Sequence, residues 1–278
     1  MSFGVFLAVL GAAFLHALWN AIIKQGGSRL TAMLIATILQ GGIAVVVACF
    51  HDLPRGEVWW WILFSGLFHS AYKFFLTYAY EQGDLSRVYP IARGAAPMVV
   101  LVFGAIALSD VIAGHEYAGV VVLGLGIILM AHGAFSNGES RRLVPFALGS
   151  ALATAGYTLV DGLGARVSGN PISYVAWLFI IDTALYTLLN VLWHGPSVLR
   201  AGRRLWVRGG IAAAGSYGSY AIAVWAMTLA PLALVAALRE TSILFAVLIG
   251  WLVMGERMDR MKGLAALLIV AGVVLTRI

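Results

Sequence analysis

The sequence predicts an all-α integral membrane protein with ten transmembrane helices arranged as two inverted five-helix repeats. Three observations carry that prediction. Hydrophobic residues make up 62% of the 278 residues and charged residues 11%, against about 45–50% and about 25% in soluble domains. The apolar residues form continuous runs of membrane length rather than alternating, which selects helices over a barrel. The second half also echoes the first. From Gly83 onward the echo holds a constant offset of 146, so Arg93 falls on Arg239, Gly104 on Gly250, Asp110 on Glu256, Gly126 on Gly272 and Leu129 on Leu275. Near the start the offset is 138, and His16, Trp19 and Asn20 fall on Thr154, Tyr157 and Thr158. A unit with an odd number of spans must re-enter the membrane from the opposite side. The repeats are therefore inverted, a layout that places binding sites near the midplane.

The first repeat occupies residues 1–137 and the second 143–278. Span one covers 3–24 and stops at Gly26-Gly27, and span two covers 30–50 and stops at Pro54-Arg55-Gly56. Span three, 58–80, starts in Trp59, Trp60 and Trp61, which suit a headgroup boundary as Trp193 and Trp206 do. Span four, 86–109, is the most irregular, because Pro90, Gly94 and Pro97 interrupt its hydrogen-bond ladder. Span five, 115–134, carries Gly119, Gly124 and Gly126, small residues that let helix backbones approach closely. The stretch Ser136 to Arg142 is too short for a domain linker, so the two halves should pack as one transmembrane unit. Span six covers 143–165, and span seven covers 171–193 after the stop Gly169-Asn170-Pro171. Span eight covers 208–229 and ends at Ala230-Pro231, span nine covers 232–253, and span ten, 261–277, repeats small residues at Gly263 and Gly272. Spans five and ten hold few polar groups and are expected to pack together, away from any cavity.

The net charge of +6 belongs to the links, where cations set orientation and touch anionic lipid. It does not indicate nucleic acid. Odd-numbered links hold most of the cations, among them Lys24, Arg141, Arg142, Arg203, Arg204 and Lys262, whereas Arg55 and Arg166 fall in even ones. By the positive-inside rule both termini then lie outside. Cys49 is the single cysteine, so no intrachain disulfide and no thiolate metal cluster is expected. The first span lacks a basic leader and carries Asn20 and Lys24, so it reads as a retained helix. His115-Glu116 lacks the second histidine of a zinc-protease motif, and Gly124-Leu125-Gly126 lacks the third glycine of a dinucleotide fingerprint. There is no P-loop. No catalytic residue, cofactor or metal site is expected.

Charges inside a membrane are costly and usually face a cavity or a partner. Six stand out: Lys73, Arg93, Asp161, Asp182, Arg239 and Glu240. Arg93 and Arg239 are repeat-equivalent and could hold an anionic group by forked hydrogen bonds, or could each pair with a carboxylate, Asp161 or Asp182. Glu240 points about 100° away from Arg239 on a helix and is not expected to be its direct partner. Polar residues also share helix faces: His16, Trp19 and Asn20; His69, Tyr72, Lys73, Thr77 and Tyr80; Thr154, Tyr157, Thr158 and Asp161; Asp182, Tyr186 and Asn190. These faces should turn away from lipid. Trp19, Tyr157 and Lys73 are expected on a cavity wall and Thr154 and Thr158 in helix-to-helix hydrogen bonds. His16, Asp161 and Glu240 are the candidates for moving a proton.

The run Asp84 to Pro97 (Asp-Leu-Ser-Arg-Val-Tyr-Pro-Ile-Ala-Arg-Gly-Ala-Ala-Pro) resembles the fourth-span signature of the EamA family in the drug/metabolite transporter superfamily. Met254-Gly255-Glu256, followed by Gly263 and Gly272, is similar to that family's ending, with a weaker version at Ser109-Asp110. His16-Ala17-Leu18-Trp19-Asn20 and Tyr157 to Gly162 resemble a bacterial subgroup. The resemblance implies a multi-pass protein of a cell membrane, the bacterial inner membrane, in which two five-helix repeats enclose a cavity lined by spans 1, 3, 4, 6, 8 and 9. It further implies secondary transport, often efflux, of amino acids and other small polar metabolites. It places both termini in the cytoplasm, opposite to the cation count.

Together these readings predict a carrier of a small anionic or zwitterionic metabolite. Trp19, Asn20, Lys73, Tyr89, Arg93, Tyr157, Asp161, Arg239 and Glu240 would contact the cargo, with membrane lipid around the protein and a proton as a candidate coupling ion. The other classes weighed are an intramembrane lipid-modifying enzyme, for which no nucleophile–base pair or metal triad is visible, and a scaffold, which has no need of buried charge at repeat-equivalent positions.

Overall fold

The computed structural model describes residues 1–25, 28–83, 88, 92, 96, 100, 103, 113–136, 142–256, 258 and 260–276, with side chains of 130–136 not included. Every regular element among these residues is helical. The helices are α1 (Phe3–Lys24), α2 (Arg29–Ala48), α3 (Val58–Gln82), α4 (Gly114–Ser136), α5 (Leu143–Ser168), α6 (Pro171–His194), α7 (Arg203–Leu229), α8 (Leu232–Arg239), α9 (Ser242–Met254) and α10 (Arg260–Leu275). Four of them and the joined run Leu232–Leu252 are long and apolar enough to cross a bilayer: α1, α2, α5 and α6. Helices α3 and α7, of 25 and 27 residues, have the length, about 1.5 Å per residue, but carry polar stripes. The expected span four lies mostly outside the described residues.

Helix ends follow local chemistry. Ser2 accepts from Val5 N at 3.3 Å, and Asn170 accepts from Ile172 N and Ser173 N ahead of Pro171 at the first helical position. Helices α5 and α9 stop at Gly169 and Gly255, both at positive φ.

The burial pattern is inverted relative to a soluble protein. Trp60, Leu192, Trp193 and Leu252 are strongly exposed, whereas His16, Asn20, His69, Lys73, Asp161, Asp182 and Arg239 are buried. In a bilayer, apolar side chains solvate well on the outside and polar groups must find partners inside. Every polar stripe named above faces inward, including Thr77, Tyr80, Tyr186 and Asn190.

Helices of the first half lie against helices of the second: α3 along α5, α1 along α7, α2 along α6 and α4 along α10. The α4–α10 pair approaches closely through glycines. A Cβ on Gly272 would sit 2.6 Å from Leu123 N and 2.7 Å from Gly119 O, so backbone meets backbone there.

The expected span nine is broken without a proline. Glu240 N, Thr241 N and Ile243 N bond back only three residues, to Ala237, Leu238 and Glu240 carbonyls, and the Thr241 hydroxyl donates to Leu238 O at 2.7 Å. A tightened turn thus separates α8 from α9, with a side chain competing for the helix's own acceptor.

Two cations read above as loop charges are structural clamps. Lys24, in the last turn of α1, donates to Tyr80 O at 3.0 Å and to Gly83 O, the exit of α3. Arg166, near the end of α5, donates through Nε to Met227 O at 3.0 Å and through Nη2 to Ala230 O at 3.2 Å, the exit of α7. Each satisfies carbonyls that a helix end leaves without donors. Lys262, also assigned to a link, is buried on α10.

Candidate functional site

The polar stripes of α1, α3 and α5 meet α6 and α7 at one small chamber. It is lined by His16, Trp19, His69, Tyr72, Lys73, Tyr157, Phe179, Ser216 and Tyr220, with a volume of about 20 Å³, room for about one water molecule. Larger hollows lie toward the periphery, one of about 280 Å³ under the α2–α3 and α5–α6 links and an apolar one of about 330 Å³ between α3 and α6.

Aromatic rings form the walls. His69 stacks on Tyr157 at 4.1 Å between centroids and meets Tyr220 edge-on at 4.9 Å. The His16 and Trp19 rings lie edge to face, and Trp19 Nε1 donates to His16 Nδ1 at 3.3 Å.

Two carboxylates sit behind the walls in different company. Asp182 forms an ion pair with Lys73 and accepts from Ser70 Oγ at 3.2 Å, and the ammonium also lies 5.6 Å from the centre of the Tyr186 ring. Asp161 accepts from Tyr174 at Oδ1, at 2.9 Å, and from Tyr220 at Oδ2. His69 Nδ1 is 3.9 Å from that second oxygen, and Ser65 adjoins both groups. Arg239 lies over the Tyr220 ring, 5.0 Å from its centroid, and its Nη2 is buried with no hydrogen-bond partner among the described residues.

The structure sorts the expected residues. Trp19, Lys73 and Tyr157 line the chamber, as does His16. Asn20 does not: its amide nitrogen donates to His16 O on its own helix, and its oxygen accepts from Tyr80 of α3, which ties the two helices together. Asp161 and Arg239 stand one layer back and reach the chamber through Tyr220. Glu240 is buried next to Arg239 but is not on the chamber wall. Tyr89 and Arg93 lie outside the described residues. Thr158 bonds back to Thr154 O on its own helix rather than across an interface. Asp182, one of two carboxylates considered for an arginine, holds Lys73 instead. Span seven, which the resemblance left out of the lining, supplies Phe179.

Sequence reasoning missed Tyr174, Ser216 and Tyr220. The signal for the last two was present: Ser216 and Tyr220 are spaced i, i+4 within span eight, the same spacing that marked the other stripes.

The described residues, all helical where regular, with an apolar exterior and a polar, ring-walled centre, are those of a multi-pass membrane protein. The chain belongs to the EamA-like transporter family, whose model matches residues 2–131 and again residues 142–278. A crystal structure of a protein 21% identical to this chain shares its fold, with a TM-score of 0.73 over 98% of this chain and 98% of that one. A search of curated proteins finds no match.

Proposed function

We propose that this transporter is a secondary carrier that exports a small anionic or zwitterionic metabolite, such as an amino acid, from a bacterial cell across its inner membrane by alternating access. One observation carries the reading: a small aromatic chamber at the meeting point of five helices, with Lys73 on its wall and Arg239 behind Tyr220 holding a buried N–H that has no partner among the described residues. A buried donor without an acceptor is costly, and a carboxylate from a cargo would supply one.

The carrier is built as ten spans in two inverted repeats. The helix pairing supports this, because exchanging the repeats turns the α1–α7 pair into the α5–α3 pair and maps α2–α6 and α4–α10 onto themselves. Sidedness supports it too. Lys24 joins the first link to the third, and Arg166 joins the sixth to the eighth. The vestibule joins the second to the sixth. Each contact stays within odd or within even links, as alternate crossing requires.

Trp19, Tyr89 and Tyr157 shape the pocket, Arg93 and Arg239 hold the acidic end, and Lys73, Asp161 and Glu240 complete the charge balance of a zwitterion. His16, Asp161 and Glu240 are the groups able to carry a coupling proton. The test is a thermal-shift screen of amino and organic acids, followed by flux of the stabilising compound in proteoliposomes. Flux is expected from wild type and its loss from Arg93→Ala and Arg239→Ala. Wild-type flux in folded samples of both variants rejects their role.

A further inference from the structure

We propose that Asp161 is a proton-binding site with two exits, loaded from a surface vestibule through Tyr174 and unloaded into the central chamber past Tyr220 and His69. The inference rests on the carrier reading and assigns its coupling ion to one residue and one route.

The groups form a row. The α2–α3 and α5–α6 links meet in a vestibule of about 280 Å³ lined by Asp52, Arg55, Asn170, Ser173 and Tyr174, among others. Tyr174 also donates to Asp161 Oδ1 at 2.9 Å. Tyr220 donates to Oδ2 and lines the chamber. The two oxygens of one carboxylate therefore each accept from one phenol, and the two tyrosines also line two different hollows; the Tyr174 side chain is itself buried between vestibule and carboxylate. Along α5, Tyr157 on the chamber wall is one turn from Asp161, and Ser168 on the vestibule rim is about 10 Å the other way at about 1.5 Å per residue. A Cβ on Gly164 would sit 2.6 Å from the Tyr174 hydroxyl, so the phenol rests against bare α5 backbone between vestibule and carboxylate.

The surroundings suit a proton better than a fixed ion pair. Among the described residues no lysine or arginine lies within salt-bridge distance of Asp161. From α3 it faces Ser65 and His69, while Lys73 of the same helix is engaged by Asp182 of α6. From α6 it faces Tyr174, from α7 Tyr220, and beyond that ring Arg239 at the end of α8, followed by the buried Glu240. A carboxylate held by neutral donors keeps those partners when it gains a proton, whereas one locked to a cation would leave that charge unpaired. Loading is balanced: vestibule water gives a proton to the Tyr174 oxygen as the phenol proton passes to Oδ1. Unloading needs the carboxyl group to turn so that its proton lies on the Tyr220 and His69 side; that proton then passes to His69, or to the Tyr220 oxygen as the Tyr220 phenol proton passes to chamber water.

The test is time-resolved infrared difference spectroscopy of the full chain in phosphatidylcholine–phosphatidylglycerol vesicles after a pH step. A carboxylic-acid C=O band should rise and fall with the pH step in wild type, vanish in Asp161→Asn, and shift in frequency in Asp161→Glu, which keeps a titratable group if the asparagine variant does not fold. In Tyr174→Phe the band should persist but respond on the order of a hundredfold more slowly. A band that survives Asp161→Asn unchanged, the absence of any titrating band, or a wild-type rate in Tyr174→Phe overturns the proposal. The readout needs no cargo, so amino-acid flux without a titrating band sinks this inference alone, and a band without flux sinks only the carrier reading.

Discussion

Asp182→Asn removes the carboxylate that Lys73 holds, and the structure sets the cost. Both side chains are nearly inaccessible, at 5% and 0% exposure. After the substitution the ammonium keeps a neutral amide in place of the carboxylate, the Tyr186 ring, 5.6 Å from its centre, and whatever water the small chamber admits. A cation–π contact contributes about 0.5–2 kcal/mol, whereas breaking one side of a buried pair costs about 3–5 kcal/mol. Asp182→Asn and Lys73→Met should therefore each lower stability by about 3 kcal/mol, roughly a hundredfold in the folded-to-unfolded ratio. The double variant Lys73→Met/Asp182→Leu removes both charges and should recover most of that loss. The assay is a double-mutant cycle of Lys73→Met, Asp182→Leu and their combination on the reconstituted protein, read as unfolding free energy by steric trapping, with an expected coupling of about 4–5 kcal/mol. Additive single effects, or a double variant no better than either single, refute the reasoning. The same double variant separates two roles: a pair that only braces α3 against α6 leaves flux intact, and a lysine that also meets cargo leaves a stable but inactive protein.

Further outcomes follow from other contacts. Gly272→Ala places a Cβ 2.6 Å from Leu123 N and should cost about 1–3 kcal/mol, while Gly263→Ala, with nothing within 4 Å, should be neutral or gain up to about 1 kcal/mol from helix propensity; thermal unfolding in detergent distinguishes them. Lys24→Met and Arg166→Met each strip donors from two helix-end carbonyls and should lower stability by about 1–3 kcal/mol, with Arg166→Lys intermediate in the same assay.

The inward-facing stripes were legible because lipid forbids their alternative. Once His69, Tyr72 and Lys73, or Asp182, Tyr186 and Asn190, share a helix face, that face cannot meet hydrocarbon. Which charge pairs with which was not legible. Lys73 and Asp182 are 109 positions apart, and their meeting depends on how α3 and α6 cross. The break in span nine was hidden for another reason. Proline and glycine were read as the breakers, yet Arg239-Glu240-Thr241-Ser242 is a run of four polar residues in an apolar helix, and Thr241 turns its hydroxyl onto the backbone. Lys24 and Arg166 looked like loop cations because sequence shows position but not the carbonyls within reach. The matching roles of these two clamps emerge only when the exits of α3 and α7 are seen beside them.

The central claim is that the chamber opens to each side of the membrane in turn. Cys49 is the single cysteine and is exposed, so Cys49→Ala gives a background in which Ser216→Cys reports on the chamber wall alone. A membrane-impermeant thiol reagent, applied outside or trapped inside proteoliposomes of fixed orientation, should modify Ser216→Cys from both faces, and a stabilising amino or organic acid should slow both reactions. Modification from one face only, or from neither in a folded protein, would contradict a carrier working by alternating access.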